Sequence, residues 1–129
     1  MTIRGRAPQG WVGVVLGAPD ARALAGFYRD LLGWPLATDE PDWCTMQLGD
    51  LPANLAFQTE EHHVPPVWPP ESGAQQMQLH LDIAVQDLAA ATEDAVALGA
   101  RLAAYQPQDD VRVLLDPAGH PFCLYLDND

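Results

Sequence analysis

The feature that most constrains this chain is an internal repeat. Residues 32–37 (LGWPLA) lie over residues 98–103 (LGARLA), Asp20 lies over Asp87, and Phe57-Gln58 lies over Phe122-Cys123. The order of predicted elements repeats with them. Residues 11–18 (WVGVVLGA) form an apolar, β-branched run that reads as a buried strand. Asp20 is a good N-cap; Leu24, Phe27, Tyr28 and Leu31 follow at helical spacing, and Gly33 ends the helix. Strands are then predicted near residues 36–38, 43–48 and 54–59. In the second half, residues 78–85 (QLHLDIAV) read as a strand and Asp87 as an N-cap. Leu88, Ala91, Ala95 and Leu98 mark a second helix, closed by Gly99. Strands are expected near residues 102–105, 111–115 and 122–126, and Asp116-Pro117-Ala118-Gly119 fits a type I turn. One helix on a few strands cannot cover both faces of its sheet, whereas two such halves can. The expectation is one α+β domain over residues 1–129, made of two βαβββ modules at about 11–59 and 78–126. Residues 60–74, with Pro65, Pro66, Pro69, Pro70 and Gly73, read as an extended linker.

Several chemistries are excluded by what the chain lacks. It contains no Lys, so it has neither a Schiff-base amine nor a P-loop lysine. Its one serine, Ser72, lies in the proline-rich stretch outside any GxSxG context, and no GxGxxG occurs. The 18 Asp and Glu against 6 Arg, for a net charge of −12, repel phosphate backbones and anionic lipid surfaces; neither nucleic acid nor membrane is an expected partner. The same charge either attracts cationic ligands or simply keeps the protein in solution. Cys44 and Cys123 form no CxxC pair or disulfide framework and suit a reducing cytoplasm. The polar stretch from Met1 to Gly10 lacks the apolar run of a signal peptide.

Three stretches carry a family resemblance. APDARALAGFYRDLLGW (residues 18–34) and LHLDIAVQDLAAATEDAVALGA (79–100) resemble the strand-to-helix openings of the two modules of the glyoxalase/bleomycin-resistance/extradiol dioxygenase (vicinal oxygen chelate) superfamily. LLDPAGHPFCLYL (114–126) resembles its DP-x-G hairpin and last strand, and VPPVWPP (64–70) a loop of a glyoxalase-like subgroup. The resemblance spans about residues 11–126. It implies a cup-shaped, half-open barrel with ligands in the cup, a homodimer, and metal ligands on the first and last strand of each module. Carried over by position, those four places are Gly13, Gln58, His80 and Cys123.

That set departs from the family's His, Glu and Gln pattern. Gly13 has no side chain, and Cys123 stands where a Glu is usual, so a hard, oxygen-rich site is not encoded. The expectation is no cofactor and no resident metal; the alternative is zinc held by imidazole, thiolate, amide oxygen and water. His80 alternates with Leu79 and Leu81 and reads either as a pocket acid or base or as a hydrogen-bonded core histidine. Cys123 alternates with Phe122 and Leu124 and reads either as a pocket thiol or as a small packed residue. His62 and His63 read as a solvated loop, Trp34 and Trp43 as core, and Cys44 as an inert packed thiol. Trp68 reads as a core or interface anchor or as a wall of the cup.

Two functions follow. The first is a protein binding a small organic ligand, cationic or aromatic, through Gln58, His80, Cys123 and Trp68, with Gly13 leaving a gap that widens the pocket. The second is a lyase, isomerase or dioxygenase-type enzyme of the superfamily, with His80 as its catalytic acid or base.

Overall fold

The computed structural model describes residues 3–8 and 10–127. Met1, Thr2 and Gln9, which belong to the polar N-terminal stretch, lie outside the described residues, as do Asn128 and Asp129. The chain divides into two compact units, Met1–Glu61 and His62–Asp129.

In the first unit the elements run β1 (Val12–Ala18), α1 (Ala21–Leu32), β2 (Leu36–Glu40), β3 (Trp43–Gln47) and β4 (Ala53–Thr59). The strand order is β1-β4-β3-β2, with β1 parallel to β4 and the remaining pairs antiparallel. Helix α1 starts where the sequence predicts. The Asp20 carboxylate accepts from the Ala23 N–H, and the Thr59 hydroxyl oxygen accepts from the Ala21 N–H. It stops at Gly33, whose φ of 79° is left-handed and comfortable for glycine. Its inner face carries Leu24, Phe27 and Tyr28, all buried, with the Tyr28 ring stacked on Phe57 of β4 at 5.7 Å. Each such side chain contributes about 1.5–3 kcal/mol by leaving water.

The second unit repeats this as β5 (Leu81–Val85), α2 (Leu88–Leu98), β6 (Arg101–Leu102), β7 (Val111–Leu115) and β8 (Pro121–Leu126), in the order β5-β8-β7-β6. Asp87 caps α2 by accepting from Ala90 N–H. This helix is packed differently. Of its residues only Ala95 is fully buried, and Leu98 is exposed with Val96. The expected strand at 102–105 shrinks to two residues. Beyond it the Gln106 side chain takes over the pairing: its amide oxygen accepts from Val113 N–H and its amide nitrogen donates to the Val113 carbonyl. The first strand of this unit also begins later than predicted, at Leu81. The ladder opens at Leu81–Phe122, and the preceding place on β8 is Pro121, which has no N–H to donate.

The proline-rich stretch contains no helix or strand, as expected, yet from His62 onward it is part of the second unit. A Cβ on Gly119 would meet the Pro65 ring at 2.7 Å, and Val67 N–H donates to the Gln75 carbonyl. The predicted turn at 116–119 closes with Gly119 N–H donating to the Asp116 carbonyl.

Candidate functional site

Each sheet has one face under its helix and one face away from it, and strand alternation sorts the side chains between them. In the second sheet Phe122 and Leu124 are buried, with Leu81 and Ile83 as their ladder partners. The opposite parity places Asp82 opposite Cys123 and Ala84 opposite Tyr125 on the helix-free face. His80, two residues before Asp82, shares that parity. Its Nε2 lies 3.2 Å from Asp82 Oδ1. The ligating atoms of His80, Asp82 and Cys123 all lie within 4.8 Å of one another.

His80 and Asp82 are exposed and Cys123 is half-buried. His80 is therefore not a core histidine. Burial pushes the Cys123 thiol up from its ordinary range, and the charge of Asp82 and a hydrogen bond to it push in the same direction. An isolated thiol there is a poor nucleophile at neutral pH, because the carboxylate beside it favours the protonated form.

The first sheet is built from other residues at the matching places. Gly13 stands seven residues before its helix cap and His80 seven before its own; Val15 and Asp82 each stand five before. The ladder partner of Val15 is Ala56, whereas that of Asp82 is Cys123. So Cys123 corresponds to Ala56, and Gln58, which pairs with Gly17, corresponds to Tyr125. The sequence overlay of Phe57-Gln58 on Phe122-Cys123 is thus displaced by two residues: it follows a shared Phe, while the ladder follows hydrogen bonds.

Two expectations for the first unit change. Gly13 leaves no gap, because the Asn54 amide, its ladder neighbour on the same face, occupies the space a Cβ would take. Trp34 and Trp43 are not core. Trp34 is exposed, and Trp43 is half-buried on the helix-free face as the ladder partner of Gln58. Gln58 itself is exposed and donates to the Glu60 carboxylate. Cys44 is buried, its thiol donating to the Glu40 carbonyl, which fits the inert role.

Trp68 is half-buried in the second unit, its indole N–H donating to the Tyr105 carbonyl at 3.3 Å and its ring 6.1 Å from that of Tyr105. His62 is exposed, but His63 is not simply solvated: its Nε2–H donates to the Ala118 carbonyl, and its ring lies 5.3 Å from His120. His120 Nδ1 in turn faces both oxygens of buried Asp116 at 3.0 and 3.1 Å. Asp116 Oδ1 also accepts from the Ala118 and His120 N–H groups, so this pair holds the turn.

Sequence reasoning missed Asp82. The signal was present, since an acid two residues from a histidine on a predicted strand must share its face. The metal set that the resemblance implies does not fit as a two-module group. Gly13, Val15 and Ala56 supply no donor, and no glutamate stands on β5 or β8. The imidazole, carboxylate and thiol of the second unit do form a donor set, of nitrogen, oxygen and sulfur, which suits borderline ions over hard ones.

This topology, repeated over both units, defines an α+β protein of the glyoxalase-like fold. The chain belongs to the glyoxalase-like domain family, whose match runs over residues 13–125. It is similar to a glyoxalase-related enzyme from Fulvimarina pelagi (23% identity, TM-score 0.63, covering 90% of this chain and 86% of that one). It is also similar to the bleomycin-binding protein of Streptomyces verticillus, solved with copper(II)-bleomycin (20%, 0.58, 91% and 95%), and to a lactoylglutathione lyase from Agrobacterium tumefaciens (19%, 0.59, 94% and 96%). At these identities the likeness shows the fold. No curated protein matches the chain significantly. Among the described residues no helix is long and apolar enough to cross a membrane.

Proposed function

We propose that the protein binds a small organic molecule, cationic and partly aromatic, on the helix-free face of its second sheet. The observation that supports this is the composition at the middle of that face. Asp82 is exposed there, with His80 two residues before it and Cys123 across the ladder, and the exposed ring of Tyr125 is a diagonal neighbour. Such a row of acid, imidazole and phenol adds little to folding, and it offers a charge, hydrogen-bonding groups and a flat apolar surface to a ligand. The net charge of −12 acts in the same direction by drawing cations. The Streptomyces verticillus protein named above binds a large organic ligand on a similar fold. Gln58 and Trp68 remain ligand-binding candidates outside this row. A homodimer belongs to the reading through the family resemblance alone, since Trp68 is packed on Tyr105 and not left bare.

Titrating aromatic cations and their neutral isosteres against the labelled protein, followed by NMR, tests the reading. Cations should shift the amides of β5 and β8, and Asp82→Asn should weaken them about tenfold, the order of one charge-assisted hydrogen bond. Equal binding of the neutral isosteres, or shifts confined to other strands, removes it.

A second reading rests on the His80–Asp82 pair at 3.2 Å. A carboxylate at that distance fixes the orientation of an imidazole, which is what a general base requires. Product signals that grow during the same titration and vanish in His80→Ala decide for an enzyme.

A further inference from the structure

We infer that His63 and His120 together hold one imidazole-seeking divalent cation of the zinc type, through residues of the second unit outside the His80–Asp82–Cys123 group. The first observation is which nitrogen of each ring carries the proton. His63 Nε2 lies 2.8 Å from the Ala118 carbonyl oxygen, which can only accept, so Nε2 is protonated and the lone pair of the neutral ring is on Nδ1. His120 Nδ1 faces both Asp116 oxygens at 3.0 and 3.1 Å, so the lone pair of its neutral ring is on Nε2. Among the described residues no hydrogen bond engages His63 Nδ1 or His120 Nε2. Metal-binding histidines show this arrangement: one ring nitrogen donates to a carboxylate or a backbone carbonyl, and the other is left for the ion.

The second observation is spacing. The two ring centres stand 5.3 Å apart, with the planes tilted by 50°. Bonds of about 2.0–2.1 Å to one tetrahedral ion put two imidazole centres roughly 5 Å apart. The third observation is the frame around the rings. Asp116 is buried, and its Oδ1 also accepts from the Ala118 and His120 N–H groups, so the carboxylate that orients His120 is itself fixed. The same turn offers the Ala118 carbonyl to His63, and Pro65, two residues on, lies against Gly119. Two ring nitrogens suit zinc, copper and nickel; magnesium and calcium, which are bound through oxygens, gain nothing from them. The fully buried Asp116 side chain places a negative charge beside His120, close to the ion. Two protein donors leave two tetrahedral positions for water or for the donor atoms of a small molecule.

The test is a titration of the chelator-stripped, nitrogen-15-labelled protein with zinc(II) alone, followed by NMR of the imidazole nitrogens. Each nitrogen is read separately, so zinc taken up elsewhere in the chain does not interfere, and the outcome is independent of the function proposed above. His63 Nδ1 and His120 Nε2 should shift together along one binding curve, while His63 Nε2 and His120 Nδ1 keep their protons. Magnesium at the same concentration should move neither. His63→Ala should weaken zinc binding at His120 by more than about tenfold, because a chelating pair becomes a single ligand. Asp116→Asn should weaken binding at both rings by about 10–100-fold, the usual cost of losing such an orienting partner. His62→Ala should leave the curve unchanged. Circular dichroism of each variant reports on folding. His63 lies on a stretch without helix or strand, so His63→Ala carries the test if Asp116→Asn unfolds. No shift at either nitrogen in excess zinc, movement of only one of them, an unchanged curve at His120 in His63→Ala, or loss of binding in folded His62→Ala overturns the inference.

Discussion

The two units share one topology and distribute their side chains in opposite ways. The first holds its helix with bulk: Leu24, Phe27 and Tyr28 form the buried inner face of α1, with Tyr28 stacked on Phe57, and its helix-free face is glycine, valine and alanine at the places that matter. The second holds α2 through Ala95, leaves Leu98 and Val96 exposed, and places His80, Asp82 and Cys123 on its helix-free face. A ladder register and two helix caps therefore suffice to preserve the βαβββ unit, while packing and chemistry vary independently. Reactive groups collect in the unit whose helix is packed less deeply.

That contrast can be broken most directly through the helices. Leu24→Ala should cost about 2–5 kcal/mol, the usual range for a buried leucine, while Leu98→Ala, on an exposed position, should cost less than about 1 kcal/mol. Urea unfolding of both variants decides the matter, and equal costs mean that the two helices are anchored alike.

Glycines sharpen the comparison at a smaller scale. Gly119 has a φ of 92°, and a Cβ there meets the Pro65 ring, so Gly119→Ala should destabilise by about 2–3 kcal/mol from backbone strain and overlap together. Gly13→Ala displaces only the end of the Asn54 side chain and should stay within about 1 kcal/mol of the parent, since alanine also restrains the unfolded chain. Thermal melts that reverse this order contradict the description of the two faces.

The smallest effect concerns the thiols, one in each unit. Burial raises both, and Cys44 is fully buried whereas Cys123 is half-exposed. In metal-free protein, iodoacetamide should label Cys123 and leave Cys44 unmodified until the chain unfolds. Because the Cys123 thiolate forms only above the ordinary thiol range, its labelling rate should keep rising with pH beyond the point where a free cysteine levels off. Asp82→Asn removes the charge and should shift that profile modestly to lower pH. A Cys123 profile identical to that of free cysteine, measured by mass spectrometry of the labelled peptides, disproves the electrostatic description of the site.

The sequence by itself determined the repeat, both helices with their Asp caps and glycine ends, and most strands, because these depend on local patterns of hydrophobicity and turn chemistry. It also marked His80 and Cys123, through the family resemblance that placed them and the alternation visible in the residues next to each. Only the tertiary structure decided the rest. The true correspondence of Gln58 with Tyr125, and of Cys123 with Ala56, is set by hydrogen bonds between strands distant in sequence, which no matching of letters registers. The filling of the space beside Gly13 by Asn54, and the displacement of β6 pairing onto the Gln106 side chain, are likewise contacts between remote residues. Asp82 lay between these two cases. Its face was legible from its spacing to His80, but its approach to Cys123 exists only because β5 and β8, some forty residues apart in the chain, run parallel in this register.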